Sequence, residues 1–137
     1  MTGRSLAGSY MAKAVVRVTV LRQYHDAGDY SDVVREAQEA VELALKAVLR
    51  FCGVEPPKVH DVGALLREYA DRLSGLDVER MAAVSRALRK ERELSFYGDL
   101  DYLPTEQYTR ADAEQAMHDA AEVVKAVQGW IAAQPGP

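Results

Sequence analysis

A single arginine lies on the apolar stripe of one predicted helix. Met81, Val84 and Leu88 define this stripe, and the helical rotation of about 100° per residue continues it to Arg92 and Ser95. A guanidinium keeps its charge at physiological pH, and burying it without a partner costs several kcal/mol. We therefore expect either a carboxylate or a phosphate to face Arg92.

The segment after this arginine, residues 96–104, is rich in aromatic and acidic residues. Its tyrosine rings offer flat apolar faces to a ligand, and its hydroxyl and carboxylate groups offer hydrogen bonds. Alternatively, the same rings simply close the open end of a helical bundle. Loops of this length in compact domains tend to pack or to bind. The predicted ligand-binding residues are Arg92, Ser95, Tyr97, Asp99, Arg89 and Tyr102.

Two interpretations of Arg92 remain open from the sequence. Its guanidinium can form an ion pair with Glu91, Asp99 or Asp101, or with an acid of a partner chain, and so stabilise the fold or a dimer. It can instead bind the phosphate of a ligand, and Arg86, Arg89 and Lys90 on adjoining arcs of the helix would extend a phosphate-accepting strip, which Glu91 and Glu93 weaken. The first alternative is structural and the second is functional.

The three histidines, His25, His60 and His118, lie on different predicted elements without the spacing of metal ligands. We therefore expect no metal site and no cofactor. His60 either shapes the start of a helix or takes part in proton transfer. The sequence contains no glycine-rich phosphate loop and no nucleophile elbow. The catalytic residues stay unknown, with Arg92, Tyr97 and His60 as weak candidates.

Length and composition limit the class of protein. The chain has 137 residues, of which 48% are hydrophobic and 28% are charged, and its formal net charge is −4. These values predict one globular domain over residues 1–137, with a core at about 9–132 and a disordered tail at 134–137. The acidic balance excludes a surface broadly covered by nucleic acid, so any phosphate site must be local. No apolar run approaches the roughly 20 residues of a membrane span, and we expect a cytoplasmic protein.

Helical periodicity of the apolar residues predicts an all-α fold. We expect an up-and-down bundle of about five helices, with four long core helices and a shorter one. The first helix, from about Ser9 to His25, contains many β-branched residues, which leaves a buried strand as its alternative. Asp61 is well placed to cap the predicted third helix, which continues to Leu73 and ends at Ser74-Gly75, and Thr109 opens the fifth as part of an approximate capping box.

The second predicted helix, residues 33–52, is apolar around most of its circumference. We expect it at the centre of the bundle, ending where Gly53 permits a left-handed backbone. The apolar arcs of the predicted helices exceed what a small bundle can bury alone, which favours a homodimer. Cys52 lies on the apolar face and is expected to be a small buried hydrophobe rather than a reactive thiol.

Four stretches of the chain carry a family resemblance: residues 36–47 (EAQEAVELALKA), 58–66 (KVHDVGALL), 92–98 (RELSFYG) and 108–113 (YTRADA). In that order they resemble the long second helix, the start of the third helix, the functional motif and the start of the final helix of HEPN domains. This small helical family is named for its occurrence in higher eukaryotes and prokaryotes. The resemblance spans about residues 10–131, the size of a single domain.

The resemblance implies a helical bundle that is usually a homodimer. Many such proteins are encoded beside a small nucleotidyltransferase in toxin–antitoxin or related defence systems. The catalytic members are metal-independent endoribonucleases, in which an arginine is followed, after four to six intervening residues, by a histidine. The two copies of this motif in a dimer form one cleft that attacks RNA through its 2′-hydroxyl.

The chain keeps the motif arginine as Arg92 but has Tyr97, Gly98 and Asp99 where the family permits the histidine. A histidine with its usual pKa of about 6.5 exchanges protons at neutral pH, whereas a tyrosine with a pKa of about 10 stays protonated. In some members a tyrosine two residues after the histidine is modified by the partner transferase. On the Tyr97 register, that position is occupied here by Asp99, which cannot accept the modification.

The sequence therefore leaves two functions open. The first is a non-catalytic dimeric module that binds nucleotide or RNA phosphate at Arg92 and the aromatic segment, or docks a nucleotidyltransferase. The second is a metal-independent endoribonuclease toxin in which Tyr97, His60 or a histidine from elsewhere replaces the missing base. We favour the first, because the motif lacks its imidazole.

Overall fold

The computed structural model describes residues 3–56, 58, 62–96 and 108–135, and for residues 90–96 it describes the backbone. Within these ranges the chain forms helices and no strand, which confirms the all-α prediction. Four long helices and one short helix form the expected bundle. They are α1 (Gly3–Asp26), α2 (Tyr30–Phe51), α3 (Val62–Glu68), α4 (Val78–Phe96) and α5 (Arg110–Ala133), with a 3₁₀ turn at Ala70–Arg72.

Helix α1 starts at Gly3, six residues before the predicted start at Ser9, and the strand alternative is wrong. Tertiary contacts at the amino terminus explain the extension. Arg4 donates a hydrogen bond to the Pro135 carbonyl at 2.8 Å, and its guanidinium lies 4.4 Å from the centre of the Phe51 ring. These contacts join the first turn of α1 to the ends of α5 and α2. A local sequence pattern cannot predict them, because the residues are far apart in the chain.

Helix α2 is the centre of the bundle, as predicted. The helices α1, α4 and α5 all pack against it, and α3 adds a smaller contact. A single chain therefore covers the apolar arc of α2, and this helix gives no support for dimerisation. The buried apolar residues of the helix are Val33, Val34, Ala37, Ala40, Val41, Ala44, Leu45, Ala47, Val48 and Leu49.

The two ends of α2 follow the sequence signals. Asp29 is the N-cap residue, and its carboxylate accepts a hydrogen bond from the backbone N–H of Asp32 at 3.4 Å. Gly53 follows the helix with a φ of 79°, in the left-handed region that glycine adopts easily. Cys52, expected to be buried, is half-buried, and partial burial raises the pKa of its thiol.

The third helix is shorter than predicted. We expected it to continue to Leu73, but α3 ends at Glu68 and a tighter 3₁₀ turn follows. The turn delivers Leu73 into the core, where it is almost fully buried. The Ser74 carbonyl then accepts a hydrogen bond from the indole N–H of Trp130 at 3.0 Å. Core packing of Leu73 and Trp130 therefore overrides continuation of the α-helix.

Helix α5 begins at the predicted capping box. The hydroxyl of Thr109 accepts a hydrogen bond from the backbone N–H of Asp112 at 3.1 Å, and the Asp112 carboxylate accepts one from the backbone N–H of Thr109 at 2.9 Å. Helices α4 and α5 each pack on α2 far more than on each other. A groove therefore runs between α4 and α5.

No helix among the described residues is both long enough and apolar enough to cross a membrane. Among the described residues, Val16 on α1 is the one large apolar side chain that is exposed, with 59% exposure.

Candidate functional site

The predicted phosphate-binding residue, Arg92, lies in α4, one helical turn beyond the buried Leu88. Ser95 follows in the last turn of the same helix, and Arg89 precedes Arg92 as a partly buried residue. The side chains of Arg92 and Ser95 lie outside the described part of the chain. The remaining predicted site residues, which also lie outside it, are Tyr97, Asp99, Tyr102 and His60.

The carboxyl-terminal half of α4 lies beside the beginnings of α2 and α5. Val34, Leu88 and Tyr108 line one open cavity of about 260 Å³ between these three helices. Tyr108 immediately precedes the capping box of α5 and is only 5% exposed. The fold thus places the backbone of residue 92 within one turn of this cavity, at the end of the bundle where α5 begins.

Polar side chains of α5 form one edge of the same cavity. Asp112, Gln115 and Asp119 lie on this edge, while Ala116 and Leu88 contribute apolar surface. Asp112 is engaged in the capping box, and the amide of Gln115 donates to the Asp119 carboxylate at 2.9 Å. This edge attracts cations, because its charged groups are carboxylates.

A second open cavity of about 390 Å³ continues between α4 and α5, lined by Met81, Val123 and Ala126 as well as by polar residues. Arg80 bridges the two helices beside it. Its Nη2 donates to Asp119 Oδ1 and its Nε donates to Glu122 Oε2, both at 2.9 Å. We call the two cavities with this bridge the α4–α5 groove.

The described walls of the α4–α5 groove carry more negative than positive charge. Four carboxylates line it, those of Asp77, Asp112, Asp119 and Glu122, against the one guanidinium of Arg80. A phosphate would therefore be repelled from the groove itself. Arg89 and Arg92 lie on α4 beyond Leu88, toward the carboxyl end of the helix.

Sequence reasoning missed the environment of His25. Its side chain is only 3% exposed, and its Nε2 lies 3.1 Å from Glu114 Oε1 while its Nδ1 lies 3.4 Å from Asp26 Oδ1. The Tyr30 ring packs at a tilt against the imidazole, with 5.8 Å between the ring centres. The His25–Glu114 contact joins the end of α1 to the first turns of α5, and we call it the α1–α5 clamp.

The α1–α5 clamp lies away from the α4–α5 groove. Glu114 is two residues from Asp112 and two from Ala116, which corresponds to about 200° around a helix in either direction. The hydrogen bond with His25, followed by the one with Arg110, holds the pKa of Glu114 below its usual value. No sequence signal could have found this contact, because its two residues are 89 positions apart and match no motif.

A small group of charged side chains lies at the start of α2. Arg35 contacts Asp32 at 3.0 Å and Glu36 at 3.9 Å. A hydrogen bond with Asp29, together with partial burial, raises the pKa of Asp32 to about 6. This group lies at the turn between α1 and α2, and it contains no histidine or cysteine that would add metal affinity.

Groups of three or more histidine, cysteine or acidic side chains placed to hold a metal ion are absent from the part of the chain that the structure describes. The described residues therefore offer an acidic groove between α4 and α5, and no preformed metal centre.

Comparison with known proteins identifies the class of this bundle. The family model for the HEPN domain matches residues 9–130, nearly the whole chain, which agrees with the resemblance carried by the four sequence stretches. No curated protein and no solved structure matches the chain. The helical bundle and the extent of the family match together show that this chain belongs to the HEPN domain family.

Proposed function

We propose that this chain is a non-catalytic HEPN module that binds a nucleotide or RNA phosphate at the carboxyl-terminal end of α4. Membership of the family supports a nucleotide- or RNA-related role. Within that role, the motif arginine is present as Arg92, while residues 97–99 contain no histidine. The chain keeps the motif arginine but lacks the motif histidine, and the proposal rests on this observation.

The surroundings of the described histidines support binding rather than cleavage. His25 is closed to solvent and has a carboxylate oxygen facing each ring nitrogen, so it is not available to a substrate. His118 is exposed and lies near Glu122, about 12 Å along α5 from Arg110. Both imidazoles lie on helices other than α4, which carries the motif arginine.

The charge distribution supports a local anion site. Arg86 is exposed and Arg89 is partly buried, and both precede Arg92 on α4. The described walls of the α4–α5 groove are acidic, so an anionic ligand is directed away from the groove and toward these arginines. A guanidinium suits a phosphate because its planar fork donates two parallel hydrogen bonds.

The finer parts of the proposal concern assembly and context. We propose a cytoplasmic homodimer that works with a small nucleotidyltransferase in a toxin–antitoxin or defence system. Family membership supports these assignments. Sedimentation at micromolar concentration tests the dimer, and co-purification with a nucleotidyltransferase encoded in the neighbouring reading frame tests the partner. A persistent monomer would contradict the first, and failure of the two proteins to associate would contradict the second.

RNA binding and RNA cleavage can be measured in one experiment. A fluorescein-labelled single-stranded RNA of mixed sequence is titrated with the protein in EDTA, and the same samples are then resolved on a denaturing gel. We expect binding without cleavage. Arg92→Ala should weaken binding at least tenfold, because a charge-assisted hydrogen bond contributes about 1.5–3 kcal/mol.

Arg22→Ala is the matched control, because Arg22 is an exposed arginine on α1, far along the chain from the motif. It should change RNA affinity by less than about twofold. Arg92→Lys should recover only part of the affinity, since lysine keeps the charge but loses the fork. Metal-free cleavage that disappears in Arg92→Ala would establish the endoribonuclease instead. Equal losses in both alanine variants would overturn the assignment of Arg92.

A further inference from the structure

The proposed phosphate site does not account for the α4–α5 groove. The groove presents two open cavities side by side, of about 260 and 390 Å³, along the seam between two long helices. We propose that this groove is a docking surface for a basic amphipathic helix of a partner protein. The proposal does not depend on phosphate binding at Arg92.

The surface inside the groove is apolar and built from small or medium side chains. Leu88 and Ala116 provide the apolar surface of the first cavity, and Met81 and Val123 provide that of the second. Ala87, on the α4 side, is exposed and leaves space beside Leu88. Apolar side chains spaced three and four residues apart on an incoming helix enter such cavities in succession. Their burial would supply the affinity.

Charge selects the kind of occupant. The carboxylates of Asp77, Asp112, Asp119 and Glu122 outnumber the single guanidinium of Arg80 on the described walls. Nucleic acids and anionic lipid surfaces are repelled by this sign of charge, whereas lysine and arginine side chains flanking an apolar helix face are attracted. The occupant that fits is therefore a basic protein segment.

A second copy of the chain fits less well. In a twofold dimer formed through this groove, each acidic surface would meet itself. The chain also carries a formal net charge of −4, so a partner of opposite sign gains more from electrostatic attraction. A homodimer formed elsewhere on the surface would leave the groove available.

The carboxylates of the groove are already held in position. Asp119 accepts hydrogen bonds from Arg80 and Gln115, both at 2.9 Å, and Arg80 remains 43% exposed at its side chain. An incoming lysine therefore meets preorganised acceptors and does not have to order them. The exposed part of the Arg80 guanidinium is the one repulsive group on the described walls, so it helps to fix where a partner's cations lie.

The test uses a defined probe with the full chain. A fluorescent peptide of about 14 residues, roughly four helical turns, carries leucines on one face and lysines on the other. A second peptide has glutamate in place of every lysine. Binding is followed by fluorescence anisotropy at low and high salt. We expect the lysine peptide to bind, with an affinity that falls as salt rises, and the glutamate peptide to bind at least tenfold more weakly.

Two substitutions probe the groove, and each has a matched control on the opposite side of α5. Ala87→Phe fills the first cavity and should weaken binding of the lysine peptide about tenfold. Ala121→Phe, at an exposed position, should leave this binding unchanged. Gln115→Lys adds a positive charge at the groove and should weaken binding of the lysine peptide about two- to fivefold. Gln128→Lys should weaken this binding less.

Equal effects of the groove variants and their controls would overturn the proposal, as would equal binding of the two peptides. Loss of a dimer in Ala87→Phe, seen by sedimentation, would show that a second copy occupies the groove and would also overturn it. RNA affinity should stay unchanged in Ala87→Phe. A protein that binds the peptide but not RNA would support the docking surface and contradict the phosphate site.

Discussion

Helix α5 makes two different contacts with its neighbours. Toward α1 the packing is closed, and the α1–α5 clamp places a buried imidazole against Glu114. Toward α4 the packing is open, and Arg80 bridges the space with side chains that remain in contact with solvent. One helix therefore carries a structural seam on one side and an accessible groove on the other.

The two sides of α5 show how exposure to solvent changes the contribution that similar contacts make to stability. Both sides join a cationic or protonatable group of one helix to a carboxylate of α5. His25 has lost nearly all contact with water, so its partners must replace that hydration. Arg80 keeps much of its hydration and gains little from its ion pairs. The clamp should thus contribute more to stability, while the bridge leaves the groove free to bind.

The largest expected effect comes from breaking the clamp. His25→Ala removes a buried ring and leaves a cavity beside Tyr30, which should lower the free energy of unfolding by about 2–4 kcal/mol. Urea denaturation followed through the single tryptophan, Trp130, measures this change. His118→Ala, at a side chain that is 71% exposed, should change stability by less than about 0.5 kcal/mol. Similar losses in both variants would contradict a special role for the clamp.

A smaller effect is expected from breaking the bridge across the groove. Arg80→Ala should lower the free energy of unfolding by about 1 kcal/mol or less, because its ion pairs are solvent-exposed. The loss should shrink at about 1 M salt, where screening acts over about 3 Å. Urea denaturation at low and high salt tests both statements. A loss as large as that of His25→Ala, and insensitive to salt, would remove the distinction between the two sides of α5.

The smallest effect is expected from the charged group at the start of α2. This group, separately from the clamp, should make the stability depend on pH through Asp32. Folding raises the pKa of Asp32 from 3.8 to about 6, mainly through its hydrogen bond with Asp29 and its burial. The acid form therefore adds stability that is fully present below pH 3.8 and is lost as the pH rises through about 6.

Asp32→Asn should relieve the repulsion from Asp29 and Glu36 at about pH 7, although it also gives up the ion pair with Arg35. We expect a slightly higher melting temperature than that of the unaltered chain near neutral pH, with the advantage shrinking as the pH falls below about 6. Melting curves across this range provide the measurement. An advantage that grows at low pH would show the wrong sign and would contradict the raised pKa.

Much of the fold could be predicted because local patterns and tertiary packing agree. The apolar arc of α2, the capping box at Thr109 and the turn at Gly53 all appear where expected. The predictions failed where distant residues decide a boundary. Contacts of Arg4 with Phe51 and Pro135 extend α1, and burial of Leu73 replaces the end of α3 by a 3₁₀ turn.

The candidate site divides in the same way. The sequence alone identified Arg92, its place on a helix and the missing histidine, because a motif is a matter of residue type and spacing. It did not reveal the α4–α5 groove, which exists because both helices pack on α2 more than on each other.

The sequence by itself thus determined the family, the central helix and the chemistry available at the end of α4. Only the tertiary structure decided that His25 is a buried clamp and that carboxylates of α5 face α4 across an open groove. The physical reason is that helical periodicity records which residues share a face, whereas burial and electrostatic surroundings depend on which other helix covers that face.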